Sequence, residues 1–123
     1  MSAPRLHPEF FIRLFLDDTA MLGPGKAALL EAIARSGSIS AAGRALGMSY
    51  KRAWTLVEAL NGMFREPLVE SARGGASGGG ATLTPTGQEV LALFREIEAA
   101  AAEVNAERLA ALKALRPDAS ERK

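Results

Sequence analysis

A chain of 123 residues, 48% hydrophobic and 24% charged, has the composition of one soluble globular domain. With no cysteine and a single histidine, it has no disulfide framework, thiolate chemistry, His-rich metal site or Ser–His or Cys–His catalytic pair. No apolar run approaches the ~18 residues of a membrane span, and MSAPRLHPEF has no basic-then-apolar leader, so a cytoplasmic protein with no membrane partner is expected.

The net charge of +1 does not by itself announce a polyanionic partner, but its distribution says more. Arg35, Arg44, Lys51, Arg52, Arg65 and Arg73 face only Glu58, Glu66 and Glu70 in the middle third, a weak electrostatic footprint for nucleic acid.

From the N-terminus, EFFIRLFLD (9–17) alternates Phe10, Ile12, Leu14 and Leu16 with Phe11, Arg13 and Phe15. That alternation predicts a strand buried on much of both faces, with DDTAMLGPG as the following loop. Pro24 suits the first turn of a helix, Leu29, Leu30 and Ile33 follow at helical spacing, and Gly37 ends it. In SISAAGRALG, Ser38 or Ser40 can cap, Ile39, Ala42 and Leu46 share a face, and Gly47 closes the helix. MSYKRAWTLVEALNGMF restarts at once, capped by Ser49, with Ala53, Leu56, Val57, Leu60 and Phe64 as its apolar face. Two short helices around a glycine form a helix-turn-helix pattern, and Ala42 and Gly43 are small where the two would cross.

After Pro67 the period changes to two. LVESAR and ATLT read as strands joined by ARGGASGGGA, and Thr84 then caps a helical run opened by Pro85. That run, 85–115, is about 45 Å long as one helix. The expected fold is mainly α, a winged helix-turn-helix with an N-terminal strand, a two-stranded glycine-tipped wing and a long C-terminal dimerisation helix. The expected division is a winged domain over 9–84, the long helix over 85–116 and a disordered tail over 117–123.

The third helix is the candidate binding element. Opposite its core stripe lie Lys51, Thr55, Glu58 and Gly62, with Arg52 and Trp54 on the flanks. Lys51, Arg52 and Thr55 fall in the first two turns, where a helix entering the major groove presents base-reading side chains. Arg52 has the fork for guanine O6 and N7, Lys51 is a point charge, and Ser49 with the free amides of the first turn suits a phosphate. The competing reading is an ordinary solvated face. Tyr50 and Trp54, four apart, are either packing residues or a stacking platform.

Three readings compete for ARGGASGGGA. A phosphate-cradling loop fails, because the lysine of GxxxxGK[ST] is missing and a strand follows instead of a helix. GPGKA at 23–27 fails too, with Ala27 in place of the hydroxyl. A flexible linker would need a second domain beyond it, and a single helix is not one. The tip of a hairpin remains, with Arg73, Gly74, Gly75, Gly78 and Gly79 beside DNA. Along the last helix, Val90, Phe94, Ile97, Ala101 and Val104 follow the 4–3–4–3 spacing of a coiled-coil seam, which implies an identical partner chain unless the helix folds back on its own domain. No nucleophile–base or metal-ligand set is present, so neither an enzyme nor a cofactor is expected.

GSISAAGRALGMSYKRAWTLVEALN, PLVES and GGxxGGGAxLTxxG, in that order over about 37–87, resemble the DNA-binding N-terminal domain of the molybdate-responsive transcriptional regulator ModE. SISAAGRALGMS is more broadly similar to LysR-type domains. The resemblance implies a homodimer that binds double-stranded DNA at a palindromic operator near molybdate-transport or molybdoenzyme genes. It also implies operator contacts at Ser49, Tyr50, Lys51 and Arg52, and a wing at Arg73 and the glycine tip. Full-length family members continue into molybdate-binding domains, so molybdate is not expected to bind within this chain. Ala76 and Ser77 stand where the family's wing often has a lysine, which leaves the wing contact to Arg73 and the backbone. The alternative function is a winged-helix interaction module that acts through the long helix without DNA.

Overall fold

The computed structural model describes residues 9–72 and 80–118. The chain opens with a hairpin of β1 (Leu14–Asp17) and β2 (Ala20–Leu22). Three helices follow: α1 (Pro24–Ser36), α2 (Ile39–Ala45) and α3 (Tyr50–Met63). A second hairpin, β3 (Val69–Ala72) with β4 (Gly80–Leu83), leads to α4 (Pro85–Val104) and α5 (Ala106–Ala114). This is a winged helix with an added N-terminal hairpin and C-terminal helices.

The first hairpin corrects the strand expected over 9–17. Only Leu14–Asp17 is extended in a ladder, and its partner β2 lies in the segment expected to be a loop. The reversal is organised by Asp17, whose Oδ1 accepts from the Thr19 amide at 2.8 Å, the Thr19 hydroxyl at 2.9 Å and the Ala20 amide at 2.9 Å. The Thr19 amide and hydroxyl hold the Asp17 carboxyl below its ordinary range. β2 buries Ala20 and Leu22 in the core and β1 adds only the half-buried Leu14, while Phe15 and Leu16 are exposed. Alternating hydrophobicity located an extended segment but overstated its burial.

One core joins the elements from α1 to α4, and α5 buries no residue in it. Leu29, Leu30 and Ile33 from α1 meet Ala53, Val57 and Leu60 from α3, with Leu68, Leu83, Val90 and Phe94 closing the far side. The local stop and start signals hold. Gly37 and Gly47 take φ of 72° and 71°, left-handed values that carry little penalty only without a Cβ. Ser38, Ser49 and Thr84 each accept from the amide three residues on, satisfying a donor with no carbonyl partner inside the helix.

Two features of the C-terminal region differ from expectation. Val90 and Phe94 are buried in this chain's own core, so the core runs across the expected division at 84/85 and neither side chain is available to a second chain. The helix expected over 85–116 is also two helices. Asn105 leaves helical geometry at φ −103° and ψ 10°, and its Nδ2 donates to the Ala101 carbonyl at 2.8 Å. The Asn105 amide keeps its own ladder bond to the same carbonyl at 3.1 Å, so the break lies in the backbone torsions of Asn105. Beyond the break, the Lys113 ammonium pairs with the Glu9 carboxylate, tying α5 to the N-terminal segment.

An ion-pair cluster braces α4 against α1. Glu31 Oε1 accepts from Arg95 Nε at 3.1 Å and Nη2 at 2.7 Å, and Arg95 Nη1 meets Glu98 at 2.9 Å. Arg35 closes the other Glu31 oxygen at 2.7 Å.

Candidate nucleic-acid interface

The interface is built on the close crossing of α2 and α3. A Cβ at Gly43 would stand 3.1 Å from the Cβ of Ala53, so only a minimal residue permits this approach. Gly43 also uses its carbonyl to accept from the Met48 amide at 2.8 Å, which closes the turn between the helices. Met48 and Trp54 pack at the margin of the core beside this crossing.

α3 therefore turns Ala53 and Val57 into the core and leaves the opposite side of its first three turns open to solvent. Ser49, Tyr50, Lys51, Arg52, Thr55 and Glu58 are all exposed along them. The Ser49 Oγ accepts from the Arg52 amide at 3.1 Å. The amides of Tyr50 and Lys51 lie in the first turn, ahead of the helical ladder, and point outward with the positive end of the helix dipole. The Thr55 hydroxyl donates to the Lys51 carbonyl at 2.9 Å. With its proton committed, Thr55 offers outward two lone pairs and a methyl group, suited to a base amino donor or a thymine methyl. Lys51 and Arg52, like Arg44 and Arg65 elsewhere in the basic middle third, make no ion pair with any described residue, whereas Arg35, Arg95 and Lys113 are paired.

Tyr50 and Trp54 meet edge to face, with ring centroids 6.2 Å apart and planes at 67°. Trp54 is half-buried against the core, so it packs; Tyr50 is 61% exposed and leaves its hydroxyl in solvent. The Arg44 guanidinium, on the exposed side of α2, is held by Ser40 Oγ at 3.1 Å. Arg73, Gly74, Gly75, Gly78 and Gly79, expected at the wing tip, lie outside the described residues.

The base of the wing is described, and three attachments there escaped sequence reasoning. The Ala81 amide donates to the Gly37 carbonyl at 2.8 Å, hanging β4 from the end of α1. The Thr84 hydroxyl donates to the Pro67 carbonyl at 2.7 Å while its amide donates to the Leu68 carbonyl at 2.9 Å. Asn61, near the end of α3, bonds both Leu68 and Val69. Only a polar, poor helix former near a helix end hinted at Asn61, and that signal is common.

On α4, the expected seam separates into two sets. Val90 and Phe94 face inward, whereas Ile97 is 42% and Val104 68% exposed, with Ala101 half-buried between them. Leu93, 49% exposed, lies on the same open side as Ile97 and Val104 at 4–3–4 spacing through Ala100. Among the described residues, no helix is long and apolar enough to cross a membrane.

Residues 26–88 match the model of the bacterial regulatory helix-turn-helix proteins of the lysR family. The chain belongs to that family. The matched LysR-type segment begins inside α1 and ends in the first turn of α4, so it includes the helix-turn-helix and both wing strands. Among curated relatives, the molybdenum-pterin-binding protein MopB of Rhodobacter capsulatus is 49% identical over 85 residues, 69% of this chain and 32% of the relative. The molybdenum transport protein ModE of Azotobacter vinelandii is 40% identical over 92 residues, 73% of this chain and 34% of the relative. The DNA-binding transcriptional dual regulator ModE of Escherichia coli (strain K12) is 39% identical over 89 residues, 72% of this chain and 34% of the relative. The likeness to ModE read from the sequence is thus shown alongside LysR-type membership. The chain spans about a third of the length of these curated relatives.

Proposed function

We propose that this LysR-type domain is a sequence-specific DNA-binding transcriptional regulator of the ModE type. In this reading it acts as a homodimer on a palindromic operator near molybdate-transport or molybdoenzyme genes. The observation that carries the reading is the exposed N-terminal half of α3, where Lys51 and Arg52 are uncommitted to any described ion pair. A charge left unpaired in solvent is free to be neutralised by phosphate or base acceptors without breaking an existing bond. Arg52 reads a guanine edge, Lys51 and the first-turn amides hold phosphate, and Ser49, Tyr50 and Thr55 complete the contact. Arg73 and the glycines at 74, 75, 78 and 79 are proposed as the wing contact.

The homodimer rests on the open apolar stripe of α4. Leu93, Ile97, Ala101 and Val104 are the proposed contact; Val90 and Phe94, being core residues, are not part of it. Two modules related by a two-fold axis read half-sites about 34–36 Å apart or a multiple of that.

The test is enrichment of duplexes from a random-sequence library, followed by titration at several salt concentrations. Arg52→Ala relaxes preference at one base position, at a cost of ~1–3 kcal/mol. Lys51→Ala weakens binding across sequences and lowers the salt slope by about one. Unchanged affinity in both variants refutes the recognition-helix assignment. No retention of any duplex at low salt, with salt-insensitive capture of a protein through α4, supports the alternative of an interaction module.

A further inference from the structure

Asn61 stands ten residues beyond Lys51 on the same helix, about 15 Å along its axis, where α3 passes the root of the wing. In an antiparallel ladder, alternate residues turn their N–H and C=O away from the partner strand. Val69, opposite Leu83 in the β3–β4 register, is such a residue. Asn61 meets both of its outward groups: Oδ1 accepts from the Val69 amide at 3.0 Å, and Nδ2 donates to the Val69 carbonyl at 3.1 Å. Oδ1 also accepts from the Leu68 amide at 2.8 Å. The carboxamide thus pairs with the edge of β3 as a third strand would. Among the described residues, the hydrogen bonds from α3 to the wing run through this one side chain.

We propose that Asn61 is a positioning residue that locks the wing to the recognition helix, so that both engage one DNA register together. The proposal rests on the DNA-binding reading above. The chemistry is specific to a short primary amide, which presents one oxygen with two lone pairs and one N–H donor side by side. Asp keeps the two acceptor bonds but sets an oxygen against the Val69 carbonyl, and Ala loses all three.

The experiment uses a duplex enriched from a random library by the unaltered protein, footprinted in two ways. Dimethyl sulfate reads guanine N7 in the major groove beneath α3, and hydroxyl radical reads the sugars beside the wing. Asn61→Ala is expected to keep major-groove protection, lose wing protection several-fold, and reduce the salt slope by about one for each phosphate released. Amide exchange at Leu68 and Val69 should quicken in this variant while the α3 amides of Val57 and Leu60 stay protected. If Asn61→Ala does not fold, Asn61→Asp carries the test, with partial loss confined to the wing footprint. Protection lost equally in both grooves, or retained in both, overturns the positioning role while the DNA reading stands. Absence of any footprint from the unaltered protein overturns the DNA reading and the positioning role with it.

Discussion

Gly87→Ala puts two physical effects in opposition, and the structure decides which prevails. Gly87 lies in the first turn of α4, where alanine should add roughly 1 kcal/mol of helix stability. A Cβ built there would stand 2.2 Å from the Leu68 carbonyl oxygen and 3.0 Å from its carbon. Comfortable contact needs about 1 Å more. The obstacle is backbone, with no rotamer to escape into, so α4 must withdraw from the root of the wing. Withdrawal stretches the Thr84 bonds to Pro67 and Leu68, now at 2.7 and 2.9 Å, each worth about 1 kcal/mol net. Overpacking of this kind costs about 3 kcal/mol at the upper end of its range, leaving a net loss of about 2 kcal/mol after the helical gain. In urea the unfolding midpoint should fall by about 1 M. Gly62→Ala is the control, since nothing lies within 4 Å of its built Cβ. That variant should match the parent protein or gain up to about 1 kcal/mol. A Gly87→Ala protein as stable as the parent would refute the close-approach argument.

Ile97→Glu combined with Val104→Glu should yield a folded monomer in sedimentation, because both side chains are exposed in the single chain; a persistent dimer sinks the proposed contact. Phe94→Glu should instead unfold the domain, read as lost far-ultraviolet dichroism, since that side chain is 1% exposed. Hydrogen bonds from Arg95 hold the Glu31 carboxyl below its ordinary 4.5, burial opposing and the charges of Arg95 and Arg35 assisting. A lowered folded value means stability that is complete above the unfolded value and is lost as pH falls through the folded one. Melting temperatures of Glu31→Gln between pH 6 and 3 should therefore fall less steeply than those of the parent, and parallel curves would contradict the role of this pair.

The elements carrying the candidate interface were legible in the sequence because their signals are local. Ser38, Ser49 and Thr84 each cap a helix through an amide three residues away, and Gly37 and Gly47 stop helices through their own φ. Placing Lys51, Arg52 and Thr55 on the open side of α3 needed only helical periodicity and the Ala53, Val57 and Leu60 stripe. The GMSYK and AW motif, lying over the α2–α3 turn and the start of α3, carried the resemblance for the same reason.

Tertiary structure decided what local chemistry leaves degenerate. A 4–3 repeat along α4 marks an apolar side but not what covers it; the domain core takes Val90 and Phe94 and leaves Ile97 and Val104 to solvent. Asn105 departs from helical torsions while its amide and its carboxamide both reach the Ala101 carbonyl, an outcome equally compatible in sequence with an unbroken polar position. Gly87 reads as a weak helix residue until the Leu68 carbonyl is seen against it. Asn61 reads as nothing until β3 comes to rest beside it. Caps and periodicity depend on neighbours a few residues away, so the chain alone determines them. Burial, close approach and edge pairing depend on segments distant in sequence, and only the folded arrangement assigns them.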